Sequence, residues 1–334
     1  MSATRVTTRT RMRAAVAHRF GGPEAVQVEE VPMPVPGPGE LLIRVQASTV
    51  SIADHRTRAR DLPKGLWFYI PISLGVFRPR RPVLGMDAAG TVEAVGADVT
   101  GFAPGDEVIV MLGAAFGGHA EYVTVKQDAA ITAKPKNLSM EEAAALVFGG
   151  HTALAYLGMA EIGPGSEVLV NGASGAVGAM AVQLAKHRGA RVTAVCSGRN
   201  AELVRSLGAD RVVDYTVQDF ATEGRRYDVI VECVGNAPFE RVEQAITPGG
   251  ALLLVITDLK SAITASRHTK RTGKLVTTRG VTIGAAEFAE LAALAEAGAV
   301  RPVIDRTYDL DDVVVAPRYV DSGRKRGSVV LRIG

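Results

Sequence analysis

The stretch that most constrains this chain is residues 166–200. A short β-branched run at 166–170 leads into Asn171-Gly172-Ala173-Ser174-Gly175-Ala176-Val177-Gly178, then a helical pattern at 180–187 and a second strand pattern at 191–196. Small residues at such a turn let the backbone bend tightly and approach a pyrophosphate, while the helix N-terminus offers unpaired N–H groups and a partial positive charge. The spacing Ala173-x-Gly175-x-x-Gly178 fits G-x-G-x-x-G with alanine in the first place. A lone glycine pattern is weak. Between two strands and opening a helix, it points to a dinucleotide site rather than a merely tight βα turn.

At 334 residues the chain is expected to form two domains, because one core seldom grows past about 250 to 300 residues. The apolar share of 47% beside a charged share of 22% argues for globular structure and against disorder. A net charge of +3, scattered along the chain, gives no reason to expect nucleic-acid or membrane binding. No window reaches the roughly 18 apolar residues of a membrane span. Residues 1–12 hold Arg5, Arg9 and Arg11 among threonines with no apolar run behind them; this reads as a flexible tail, with a short transit sequence as the other reading, and a cytoplasmic protein is expected. Cys196 and Cys233 fall at the ends of expected buried strands and read as small core residues in a reducing compartment.

From residue 13 the pattern is β: 14–17, 26–31 and 41–47, then 90–95, 107–111 and 120–125, with strong turns between them. Such spacing suggests a small barrel or sandwich. After a boundary at 134–137, Ser139 with Glu142 three residues on forms a capping box that opens a helix, and a second helix is expected at about 152–160. Past the fingerprint come helix 201–207, strands 211–214 and 227–231, helix 239–246 and strand 251–256, the alternation of a parallel sheet covered on both faces. Ligands then gather at the carboxyl ends of the strands: Val170-Asn171, Cys196-Ser197, Asp214-Tyr215, Cys233-Val234-Gly235 and Ile256-Thr257. Residues 260–279 carry Lys260, Arg267, Lys270, Arg271, Lys274 and Arg279 and no acid, which reads as a solvated face or mobile loop, or as a contact to cofactor phosphate. A helix at 287–297 ends at Gly298, and β patterns at 303–308 and 328–333 bring the tail back to the first domain.

A site for NAD usually places a carboxylate about 20 residues past the glycine turn. Here Cys196-Ser197-Gly198-Arg199-Asn200 holds none; Ser197 and Asn200 can donate hydrogen bonds and Arg199 suits a 2′-phosphate. NADPH is the expected cofactor, Arg199 as an exposed first residue of the next helix being the bland alternative. Tyr215 can stack on adenine or bond the phosphate. Cofactor contacts are therefore expected at Ala173, Ser174, Gly175, Ala176, Val177, Gly178, Ser197, Arg199, Asn200, Tyr215, Val234, Gly235 and Ile256. With two separated cysteines and six scattered histidines, no metal cluster can be drawn, so chemistry is expected to rest on the nicotinamide and on hydrogen-bond donors.

The order of parts resembles the medium-chain dehydrogenase/reductase superfamily, in its zinc-independent, quinone-oxidoreductase-like branch. The resemblance runs from Met12 to Ile333. It is carried by Pro36-Gly37-Pro38-Gly39-Glu40, the run 47–54, Pro82-Val83-Leu84-Gly85-Met86-Asp87-Ala88-Ala89-Gly90, the run 101–108, Gly118-His119-Ala120-Glu121-Tyr122 and residues 171–178. It implies an α/β chain with a GroES-like β-barrel catalytic domain (13–135 and 299–334), a doubly wound Rossmann NADP-binding domain (136–298), a cleft between them and often a homodimer. Zinc-dependent relatives would carry a Cys near Thr49 and Gly-His-Glu in place of Gly85-Met86-Asp87. Zinc-free members often carry Asn where this chain has Ser51.

The expected activity is hydride transfer from NADPH to a quinone or to the β-carbon of an α,β-unsaturated carbonyl, with orientation and donors near the developing oxyanion as the main devices. Ser51, Thr152 and Tyr69 are the candidate catalytic residues; Tyr69, a candidate proton donor, lies among Trp67, Phe68 and Ile70 and reads first as part of an apolar wall. Asp54 is expected to fix its loop, and His55 and His151 read as structural residues or as relays. The bulky run 66–77 suggests a small lipophilic or aromatic substrate, or else a dimer surface. A metal-free alcohol or carbonyl oxidoreductase and a non-catalytic NADPH sensor are the rival readings.

Overall fold

A computed structural model describes residues 10–65 and 74–334. The N-terminal part is β-rich. β1 (Arg11–Ala17) and β2 (Val26–Pro32) make an antiparallel pair; β3 (Glu40–Val50), α1 (Ile52–Ala59), β4 (Asp87–Val95), β5 (Glu107–Met111), β6 (Tyr122–Lys126) and β7 (Ile131–Ala133) follow. β3 is apolar on both faces because it lies between two clusters. Leu41, Ile43 and Val45 join Val92, Val108 and Val110, while Leu42 meets Ala14, Val16 and Ala120 beneath the β1–β2 pair.

α2 (Met140–Leu157) leads to β8 (Glu167–Asn171), α3 (Ala176–His187), β9 (Arg191–Cys196), α4 (Ala201–Ser206), β10 (Arg211–Asp214), β11 (Tyr227–Glu232), α5 (Phe239–Val242), β12 (Ile246–Leu254), α6 (Leu259–Thr272), β13 (Leu275–Thr277) and α7 (Ala285–Glu296). Their strands form one parallel sheet in the order β10-β9-β8-β11-β12-β13, the doubly wound arrangement in which the chain reverses direction across the sheet at β8. The last elements, β14 (Ile304–Asp309), α8 (Val315–Asp321) and β15 (Ser328–Arg332), return to the first sheet, whose order is β14-β15-β3-β4-β5-β7 with β6 also on β3. β15 runs antiparallel to β3, Val329 opposite Val50.

α2 joins the two sheets. Ala143, Ala144, Ala145, Leu146 and Val147 are all buried, in one core that includes Ala47, Ala89 and Ile109 from the first sheet and Val168, Val170 and Met180 from the second. Burial of Leu146 and Leu157 contributes about 1.5–3 kcal/mol each. Among the described residues, no helix is long and apolar enough to cross a membrane.

Several local expectations are corrected. The two helices expected at 139–160 are one, because Gly149 and Gly150 do not break α2 but let it approach the Ala176 backbone and Leu291. The helix expected at 239–246 stops at Val242, and β12 begins at Ile246, taking Pro248-Gly249-Gly250 into an irregular strand start. Residues 260–279 are not a loop: Asp258 caps α6 through the Ser261 N–H, Gly273 ends it in the left-handed conformation, and β13 follows. The helix α8 was not expected. Tyr69 and the rest of 66–73 lie outside the described residues.

Candidate active site

The fingerprint turn is built from close backbone approaches. Gly172 has φ +81, and its N–H and that of Ala173 both donate to Val195 O at 3.1 Å, which folds the end of β8 against β9. A Cβ on Gly178 would overlap Gly172 O and the Ala173 backbone, so α3 can press on the turn only with glycine there. Gly175 differs: a Cβ on it would meet nothing closer than Gly172 O at 3.5 Å, so this side of the loop is open. Gly175 is also the N-cap of α3 without a capping side chain, and the first turn of α3 carries no acid. The uncapped N–H groups of Ala176, Val177 and Gly178 at the positive end of this helix fit the pyrophosphate of a dinucleotide.

A buried carboxylate holds the neighbouring strand ends. Glu232, fully buried, accepts from Val234 N at 2.5 Å and Gly235 N at 2.6 Å through one oxygen, and from Asn171 Nδ2 at 2.7 Å through the other. Asn171 Nδ2 also donates to Asn236 Oδ1 at 2.8 Å. This network brings Val234 against Gly172 and Gly235 against Ile256, so three of the expected cofactor residues line one side of the turn. Sequence reading missed Glu232, although an acid at the end of an otherwise apolar buried strand was its signal. Burial raises the thiol pKa of both cysteines, that of Cys196 to about 11, so both stay protonated at neutral pH.

At the end of β9 the structure alters the expectation. The amide group of Asn200, buried, donates inward to Ser174 Oγ at 3.0 Å and Ser197 Oγ at 3.3 Å, which leaves its carbonyl oxygen, not a donor, without a partner. Arg199 is exposed, and Tyr215 is 63% exposed. No carboxylate occurs at 196–200, yet Asp214 from β10 lies beside Cys196 in the sheet, and its Oδ2 stands where a Cβ of residue 198 would be. A second feature was also missed. Residues 325–327 lie across the fingerprint, Gly327 N donating to Ser174 O and Lys325 Nζ to Gly327 O, both at 2.7 Å. Burial lowers the Lys325 pKa to about 8.

On the side of the first sheet, Ser51 is the N-cap of α1. Its hydroxyl donates to Asp54 Oδ2 at 2.6 Å and accepts from Asp54 N at 3.3 Å, while Asp54 Oδ1 takes Gly85 N at 2.8 Å and ties two loops together. Asp87 is fully buried. It accepts from Thr49 N at 2.6 Å, from the Thr49 hydroxyl and from Ser48 Oγ at 3.3 Å, and burial, aided by the charge of Asp54, pushes its pKa up to about 7. His119 Nε2 lies 2.9 Å from Thr49 O. Thr152 is half-buried on α2, one turn beyond Gly149. His151 meets Phe288 edge-on and its pKa is lowered by burial; His55 sits between Asp321 and Asp61. Among the described residues, no group of three or more His, Cys, Asp or Glu is placed to hold a metal ion.

Residues 37–136 match the alcohol dehydrogenase GroES-like domain family, and residues 207–331 match the zinc-binding dehydrogenase family. A chloroplastic quinone-oxidoreductase of Triphysaria versicolor is 31% identical over 96% of this chain and 98% of its own length. The 2-methylene-furan-3-one reductase of Solanum lycopersicum is 32% identical over 93% of this chain and 76% of its own. The solved quinone oxidoreductase of Coxiella burnetii superposes with a TM-score of 0.82 at 27% identity, covering 97% of this chain and 100% of that one. With its doubly wound sheet, GroES-like sheet and glycine turn, this chain belongs to the medium-chain dehydrogenase/reductase superfamily. Within it the chain falls in the quinone-oxidoreductase-like branch, and it is an oxidoreductase that works with a nicotinamide cofactor.

Proposed function

We propose that this chain is a zinc-independent, NADPH-dependent reductase that transfers hydride to a quinone or to an α,β-unsaturated carbonyl compound, in a cleft between domains 13–135 with 299–334 and 136–298. The observation that carries it is the open, uncapped N-terminus of α3 at Gly175, set in a turn that only small residues can form. NADPH, when bound, supplies the hydride. The N–H groups at 176–178 would hold its pyrophosphate, Val234, Gly235 and Ile256 would flank it, and Arg199 with Tyr215 would meet the adenosine end.

The donor set does not suit zinc. The Cys that zinc-dependent relatives would carry near Thr49 is absent, Met86 stands where they would carry His, and Asp87 is already engaged by Thr49 and Ser48. The Ser51 hydroxyl has its proton on Asp54, so it offers a lone pair to a donor on the cofactor or substrate and cannot itself stabilise an oxyanion. We assign that task to the Thr152 hydroxyl. The enone alternative draws on the furanone reductase among the relatives, and the quinone alternative on the named quinone oxidoreductases.

The test follows oxidation of NADPH and NADH with a quinone, an enone, an enal and a simple aldehyde, with and without chelator. Chelator-insensitive turnover of quinone or enone is expected. Turnover confined to simple aldehydes, or abolished by chelator, would refute the proposal.

A further inference from the structure

The place where a doubly wound fold meets the adenosine ribose is the end of the strand that follows the glycine turn, here β9 and the short turn Gly198–Asn200. In this chain the carboxylate at that place comes from the next strand. Asp214 ends β10, paired with Cys196, and its Oδ1 accepts from Thr216 N at 2.9 Å and Thr216 Oγ1 at 2.7 Å. Those two bonds fix the group so that Oδ2 faces the Gly198 backbone, closely enough that a Cβ at 198 would push the carboxylate aside. The Thr216 bonds first, and the Gly198 N–H after them, hold Asp214 below the usual carboxylate range, so it is charged at neutral pH. The Asn200 carbonyl oxygen, at the end of the same short turn, is buried and unpartnered. A charged carboxylate there suits ribose hydroxyls and opposes a 2′-phosphate, whereas the exposed Arg199 and Tyr215 pull the other way.

We infer that Asp214 is a specificity-determining residue that narrows the preference for NADPH over NADH. This rests on the dinucleotide site proposed above. Without the Asp214 charge, Arg199 acts on a 2′-phosphate unopposed; with it, NADH keeps a partner for its 2′-hydroxyl.

The experiment compares kcat/KM for NADPH and NADH, and the affinity of each nucleotide by its fluorescence, in the wild type, Asp214→Asn and Arg199→Gln. Asparagine can accept the same two bonds from Thr216 and gives up only the acceptor that faces the Gly198 N–H, so Asp214→Asn removes the charge and keeps the Thr216 turn. The NADPH-to-NADH ratio is expected to rise about tenfold in Asp214→Asn at low salt and by less at 0.5 M salt, because the carboxylate is exposed and screened. Arg199→Gln is expected to lower the ratio. An unchanged ratio in Asp214→Asn, or equal losses for both nucleotides, overturns the inference while leaving the dinucleotide site standing. Failure of the wild type to bind either nucleotide removes the site and the inference together.

Discussion

Asp87→Asn tests how much a buried charge costs this fold. Burial pushes the Asp87 pKa from 3.8 to about 7. Below about pH 4 the carboxyl is protonated in both folded and unfolded chains and contributes nothing to the pH dependence. Between pH 4 and 7 the unfolded chain has released this proton and the folded one keeps it, so stability falls as pH rises, and above pH 7 the loss is complete. About three pKa units at 1.36 kcal/mol each make the loss on the order of 4 kcal/mol. Asparagine keeps the bond from Thr49 N–H and can reverse the one with the Thr49 hydroxyl, since a hydroxyl both donates and accepts. Urea unfolding of the two proteins at half-unit steps from pH 4.5 to 8.5 gives the difference curve, in which the other titrating groups cancel. The stability of Asp87→Asn relative to wild type is expected to climb by several kcal/mol across pH 4.5 to 7 and then level off. Parallel curves would show that the Asp87 carboxyl does not bear its burial as a desolvated acid, and the reasoning fails.

Two further outcomes are expected. Gly178→Ala drives a methyl into Gly172 O, which should destabilise the protein by about 1–3 kcal/mol in urea unfolding and weaken nucleotide affinity measured by fluorescence titration; unchanged affinity would detach the turn from cofactor binding. Thr152→Val keeps the side-chain shape and removes the hydroxyl, so kcat with an enone or quinone should fall about 10²-fold while the melting temperature holds, and an unaltered kcat would take Thr152 out of the reaction.

The features legible in the sequence were those whose cause is local. A left-handed φ at Gly172, the tight approach at Gly178 and the Ser139–Glu142 cap are each written in a few adjacent residues. The Asp258 cap and the Gly273 stop of α6 were equally local, but the run of basic residues drew attention to charge instead of to the helix between those signals. That α2 is one helix was hidden for the opposite reason: Gly149 and Gly150 serve contact with Ala176 and Leu291, and a sequence shows composition, not what crosses it. The Asp214 carboxylate beside Gly198, and Lys325 and Gly327 over Ser174, depend on strand register and on chain returning from far away. No spacing rule reaches that distance, so the carboxylate beside Gly198 was invisible until the strands were laid side by side.

The pairing of β15 with β3 carries a consequence for synthesis. The strand that runs into Ser51 is flanked on one side by the last strand of the chain, Val329 against Val50 and Arg332 against Ala47. During translation at about 5–20 residues per second, the stretch Ala47–Val50 on that edge, beyond the part that β6 covers, stays unpaired until β15 has left the ribosome, while the parallel sheet between the two halves has all its strands already in hand. The strands of the parallel sheet can therefore pair before β15 arrives, although the core they share with the first sheet closes only when Val330 joins it. A message cut short before residue 328 yields a chain with an assembled cofactor turn but an open, sticky sheet edge, which makes incomplete copies targets for aggregation or removal rather than half-working enzymes.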